Sequence, residues 1–269
     1  DIWVKQLDTG PVTRLTFDGR AIRPVWSRNG LYLWYGSRDS TGLNLYRRRA
    51  DGTGSPELVL DLTDGVEEVV ETPDTAVMIV RVSGGGGSGA ASRRIFLFRP
   101  AAGNGDSALS PLLVSPDYNQ MAPALSPDGR WLAYVSNESG RNEVYVRPFP
   151  NVDGGRWQVS RDGGNEPAWA HSGRELYFRA APPGGSRSVV AVPILPGAGF
   201  AMGTQRVLFE DRFFRDQYHA QYALTPDDRR FIFKRFVDTG GDETAAPPAN
   251  MILIQHWLAE LDLGRPAGR

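Results

Sequence analysis

The sequence predicts an all-β fold, a β-propeller of four-stranded antiparallel blades, and three observations carry that expectation. A short turn motif recurs at intervals of about 45 to 55 residues, the length of one blade. The segments between turns are short and either continuously apolar or alternating, as strands are. Glycine and proline, 31 and 20 of 269 residues, cluster between those segments and punctuate them as turns.

The clearest copy runs from Pro123-Ala124-Leu125 through the turn Ser126-Pro127-Asp128-Gly129 to Trp131–Val135, the loop Asn137–Asn142, the strand Glu143–Val146 and the strand Trp157–Ser160. Proline at the second turn position pre-sets φ, aspartate bonds its own backbone, and glycine tolerates positive φ. The other copies align on their turns: Ser27–Gly30, Thr72–Thr75, Ala170–Gly173 and Thr225–Asp228. The apolar triplet before each turn suits the innermost strand of a blade, buried on both faces. Trp26, Leu125, Trp169 and Leu224 share one offset from the turn, so all four are expected to pack between blades.

One propeller domain is expected over residues 1–269. Its blades are read as 21–61, 62–117, 118–164, 165–212 and 213–258, with an outer half-blade at 1–20 and a tail at 259–269. Five repeats are recognisable, and a six-bladed ring accommodates the surplus strand at 2–7. Thr13–Phe17 is placed to supply the strand that the fifth repeat lacks, a closure that removes exposed edges. Strand character already at Asp1-Ile2-Trp3-Val4 leads to the expectation that the chain is part of a longer protein.

Composition narrows function. Thirty basic and 31 acidic residues give a formal net charge of −1, which provides no overall field for nucleic acid. Arg47–Arg49 and Arg93-Arg94 read as solvated strand ends. The absence of cysteine excludes disulfides, thiolate metal sites and a cysteine nucleophile. No run approaches the ~18 apolar residues of a membrane helix, so direct membrane insertion of this segment is not expected.

Several segments resemble TolB-type propeller repeats: Asp1–Val4 followed by Arg14-Leu15-Thr16, the Leu125–Gly129 turn, and Ala133–Gly140. Ala122–Ser160 more narrowly resembles the propeller that follows the kinase domain and membrane helix in some bacterial serine/threonine protein kinases. Gln255–Leu261 is similar to the tail of those proteins, with His256 where asparagine commonly precedes the tryptophan. The resemblance implies an extracytoplasmic or periplasmic location and a role in sensing or protein contact. It carries over no catalytic residue, and the sequence has no kinase motifs.

Candidate chemistry is sparse. Propeller lyases hold a metal with histidines, but His171, His219 and His256 fall at three different blade positions, so neither a metal nor another cofactor is expected. Gly85-Gly86-Gly87-Ser88-Gly89 lacks the strand-to-helix context of a nucleophile elbow and reads as a loop. Glu67-Glu68 and Asp227-Asp228 are adjacent, and neighbours on a strand point to opposite faces. Asp51–Gly54 and Asn151–Gly155 read as turns, without the ligand spacing of a calcium loop.

Topology supplies the site expectation. Residues just before each innermost strand ring the channel mouth of a propeller, which selects Arg20, Arg23, Asn119, Gln120, Asn165, Glu166, Tyr218 and His219, with Glu67 and Glu68 in the second repeat. Three long loops, Ser83–Arg93, Ala180–Arg187 and Val237–Ala249, rise on the same face. Polar groups converging on a rigid scaffold suit recognition. The expected function is therefore non-catalytic binding of a small molecule, peptide or protein by a sensor propeller. The alternatives are a periplasmic interaction scaffold, a gating propeller of a peptidase and a propeller lyase.

Overall fold

A computed structural model describes residues 1–5, 10–40, 42–84, 93–100, 108–213, 215, 219–236 and 249–254. Tyr218, His256, the glycine-rich segment 85–92, most of the 237–249 loop and the 259–269 tail lie outside the described residues. The described residues are almost entirely strand and turn, with one 3-10 turn at Val152–Gly154.

Six antiparallel sheets follow in chain order. β1 (Trp3–Lys5) pairs with β2 (Val12–Arg14). The first blade is β3 (Ala21–Trp26), β4 (Tyr32–Arg38), β5 (Leu43–Arg49) and β6 (Glu57–Leu60). The second is β7 (Val66–Glu71), β8 (Met78–Ser83), β9 (Arg93–Arg99) and β10 (Ala108–Leu113). The third is β11 (Gln120–Leu125), β12 (Trp131–Ser136), β13 (Glu143–Pro148) and β14 (Trp157–Gln158). The fourth is β15 (Gly164–Trp169), β16 (Glu175–Ala180), β17 (Ser188–Pro193) and β18 (Arg206–Glu210). The fifth has three strands among the described residues, β19 (Tyr222–Leu224), β20 (Phe231–Phe236) and β21 (Ala249–Ile254). Each strand bonds to its sequence neighbour, so the fold is a meander of β-propeller blades.

The turn between the first two strands is built the same way in four of the five blades, the fourth blade having Ala170 at the first position. Its first hydroxyl bonds the side chain two residues on: Ser27 to Asn29 at 2.8 Å, Ser126 to Asp128 at 2.6 Å, Thr225 to Asp227 at 2.6 Å, and Thr72 to Asp74. That local bond competes with strand continuation and fixes the reversal. The fourth position takes positive φ in every blade, at Gly30 (70°), Thr75 (56°), Gly129 (73°), Gly173 (69°) and Asp228 (58°). Glycine adopts this conformation without steric cost, while Thr75 and Asp228 carry strain.

Innermost strands share a bulge. Pairing slips between Ile22 and Val25 on β3, between Val66 and Glu68 on β7, and between Asn165 and Ala168 on β15. Arg23, Ala122 and Glu166 each precede a proline and take φ of 54°, 47° and 53°. A bulge re-aims the side chain it carries, and these bulges lie at the positions the sequence assigns to the site.

Two compact units make up the chain, Asp1–Pro123 and Ala124–Arg269. In the first, Trp34, Leu45, Val69, Met78, Val80 and Phe98 form a core between the first two blades. Ile2 and Leu15, just outside the β1–β2 pair, pack with Ala21, Leu33 and Tyr35. In the second, Tyr177, Val189, Ala191, Leu208, Phe231 and Phe233 join the last two blades.

The inner-strand alignment holds unevenly. Leu125 and Trp169 are buried, and the Trp169 indole donates to the Ala124 carbonyl at 3.0 Å. Trp26 is instead 51% exposed, together with Ile22, Val25 and Leu31. Periodicity places Trp26 at an inner-strand position, but burial also needs a neighbour on that face. Among the described residues Trp26 keeps no such cover, although Ala21 on the same strand is buried and Arg23 pairs with Glu67.

Candidate functional site

The second unit places two of the selected residues, Asn165 and Glu166, in one cleft. Its volume is about 580 Å³, and its walls are Arg141 and Asn142 before β13, Gly163, Asn165 and Glu166 at the entry to β15, Ala181, Pro183 and Arg187 in the β16–β17 loop, and Arg215 after β18. The loop is held by its own Gly185 amide on the Pro182 carbonyl at 3.1 Å. Gly163, at φ 92°, could not be replaced without a clash, because a Cβ there would lie 2.7 Å from the Ala181 carbonyl oxygen.

Beneath the cleft lies an ion cluster. Arg179, fully buried, donates to both Asp211 carboxylate oxygens at 2.8 Å and to both Glu166 oxygens at 3.1 and 3.2 Å. It also meets the Phe213 carbonyl at 3.2 Å and the Phe233 ring face at 5.6 Å. Arg215 adds a bond to Asp211 at 2.6 Å and one to the Ala180 carbonyl at 3.0 Å. The bulged Glu166 also accepts the Gln221 amide at 2.7 Å, while Tyr222 donates its hydroxyl to the Glu166 carbonyl at 2.9 Å. The fourth blade is thus tied to the fifth through one carboxylate.

The two acids of this cluster titrate apart. Burial pushes Glu166 up to about 7, against the pull of Arg179. Asp211 is equally enclosed, but the Arg179 and Arg215 guanidiniums bonded to it hold its carboxyl below the usual range. Two cations on Asp211 outweigh the desolvation that one cation on Glu166 does not.

The first unit repeats the device. Arg81 stands where Arg179 does, nine residues after the first turn residue of its blade. It bonds Glu68 at 2.5 Å, and Glu68 accepts the Ala122 amide at 3.1 Å, just as Glu166 accepts that of Gln221. The bulge overrides strand alternation here, because Glu67 also lies 3.6 Å from Arg81 and pairs with Arg23. Arg23 is therefore tied into an ion network.

The remaining selected residues are dispersed. Arg20 is exposed beside Arg38 and Asp39 on a shallow surface hollow. The Asn119 side-chain oxygen caps the Arg93 amide at 3.0 Å. Gln120 is buried, and its side-chain oxygen has no hydrogen-bond partner among the described residues. His219 is buried, and His171 pairs with Asp228 across neighbouring turns at 2.8 Å. Among the described residues no three histidine or acidic groups gather to hold a metal ion.

Arg141, Asn142, Arg179, Arg187 and Arg215 escape the inner-strand rule. Arg141, Asn142 and Arg187 lie in loops between second and third strands, which the same topology raises on that face. Arg179 was signalled only by its register with Arg81.

No family model matches the sequence, and no curated protein matches it. Solved structures do. TolB from Acinetobacter baumannii is similar over 94% of this chain and 56% of its own, at 13% identity and a TM-score of 0.69. A putative TolB from Agrobacterium tumefaciens is similar over 87% of this chain and 76% of its own, at 19% identity and a TM-score of 0.61. An oligogalacturonate lyase in complex with manganese is similar over 88% of this chain and 65% of its own, at 14% identity and a TM-score of 0.57. The chain thus spans little more than half the length of the first of these, and at such identities the likeness is one of fold.

Proposed function

We propose that the chain is a non-catalytic binding propeller, the extracytoplasmic sensor portion of a bacterial membrane-bound serine/threonine kinase. The single observation that supports binding is the polar cleft at Arg141, Asn142, Asn165, Arg187 and Arg215, open above a fixed ion cluster. Rigid blades below and loop residues above are the usual construction of a recognition site. Among the described residues the one acid lining the cleft, Glu166, is committed to Arg179 and the Gln221 amide, which favours binding over acid–base chemistry. The kinase context and the extracytoplasmic location rest on the sequence resemblance of Ala122–Ser160. In the first unit the same reading retains Arg20, Arg23, Asn119 and Gln120 as contacts, and in the second it adds His219 and Tyr218.

A second reading, a protein-interaction scaffold, is favoured by one surface. Trp3 and Phe17 are exposed, with the Arg14 guanidinium 5.4 and 5.0 Å from their ring centres. Aromatic and arginine side chains of this kind anchor protein contacts.

The test is an amide NMR screen of the intact chain against short peptides and oligosaccharides. Perturbations should gather at Asn142, Gly163, Asn165 and Ala181, with every fragment recovered unchanged. Perturbations confined to the outer strands around Leu58 and Val207, or conversion of a fragment, would contradict the reading.

A further inference from the structure

Among the described residues the cleft is rich in donors and poor in acceptors. Arg187 is exposed on its wall and has no hydrogen bond or ion pair through its side chain among the described residues, while its carbonyl accepts the Asp211 amide at 2.9 Å and so fixes its backbone. Arg141, about half exposed, bonds Glu143 at 2.7 Å through Nε and gives one terminal nitrogen to the Arg161 carbonyl, with Asp162 3.6 Å away, so its other terminal nitrogen is the one without a bond among the described residues. Asn142 donates to the Asn165 side-chain oxygen at 2.9 Å, which leaves the Asn165 amide nitrogen with two protons to give and no acceptor among the described residues. Against these, the carboxylate of Glu166 already accepts from Arg179 and Gln221, and that of Asp211 from Arg179 and Arg215.

From this imbalance we infer that the cleft takes a carboxylate-bearing peptide segment, its acid held by Arg187 and Arg141 and its main chain by the Asn142–Asn165 pair. A guanidinium fork matches a carboxylate in two parallel bonds. Asparagine side chains pair with peptide groups, which have the same donor and acceptor. A uronic acid chain would bring the same charge, but among the described residues the lining contains no aromatic ring on which a sugar could stack. An acidic peptide is therefore the better fit.

The inference rests on the proposed binding reading, and one experiment separates the two. The probes are acetyl-Ala-Asp-Ala-amide, its Asn analogue and trigalacturonate, each titrated into the labelled intact chain while arginine Nε–H and asparagine side-chain signals are followed. The Asp peptide should shift Arg187 and Asn165 and bind about tenfold more tightly than the Asn peptide, since charge-assisted bonds are roughly twice as strong as neutral ones. The difference should shrink between 50 and 500 mM salt. It should vanish in Arg187→Ala and return in part in Arg187→Lys, both at an exposed position that leaves the fold intact. Equal binding of the two peptides at these residues would overturn the carboxylate inference and leave the binding cleft standing. Trigalacturonate binding there with the Asp peptide silent would overturn the choice of peptide. No shift at the cleft with any probe would sink both readings.

Discussion

Arg179 illustrates how much rests on one side chain. It neutralises Glu166 and Asp211, and all three are fully enclosed. Arg179→Ala should therefore cost about 3–5 kcal/mol, because two buried acids lose their shared cation. Urea unfolding of the intact chain measures this. Glu166 gives a second prediction. Its folded value of about 7 lies above its ordinary 4.5, so the folded state binds the proton more tightly. The associated stability is complete below about pH 4.5 and is lost as pH rises through 7. Asp211, shifted downward, has the opposite sign and acts only at more acidic pH. Between pH 5 and 7.5 the wild type should therefore lose on the order of 1–3 kcal/mol relative to Glu166→Gln. A constant difference across that window would place the Glu166 proton elsewhere.

At the scale of elements, the turn is where sequence and structure agree most closely. Ser27, Thr72, Ser126 and Thr225 make the same hydroxyl bond, and the degenerate second repeat is recognisable because Thr75 adopts the φ that glycine takes elsewhere. Relieving that strain with Thr75→Gly should raise stability by about 1 kcal/mol, read as a higher urea midpoint. Inner strands were legible in position but not in burial. Trp169 is 8% exposed and bonded, whereas Trp26 at the same offset lies open. Trp169→Ala should cost about 3–5 kcal/mol and Trp26→Ala about 0.5 or less. Comparable losses would show that the face of β3 is covered. The bulges were not legible, because pairing slips depend on register and leave no residue-type signal beyond the proline that follows.

For the whole molecule, repeats carry the fold and only part of the site. The rule that residues before an inner strand face the channel mouth selected Asn165 and Glu166, which line the cleft, but said nothing of their engagement. It selected Arg23, which is bound to Glu67, and missed Arg187, whose side chain has no partner among the described residues. Sequence shows where a side chain starts along a strand, and ion pairing decides which side chains remain available. The central claim is that recognition occurs at the cleft of the second unit. Site-specific photo-crosslinking tests it most directly, with a benzophenone side chain placed at Pro183 on the cleft wall or at Leu58 and Val207 on exposed outer strands, in the full-length protein in its cell. The account predicts a discrete adduct from Pro183 that is lost in Arg141→Ala/Arg187→Ala. Adducts from Leu58 or Val207 with none from Pro183 would contradict it.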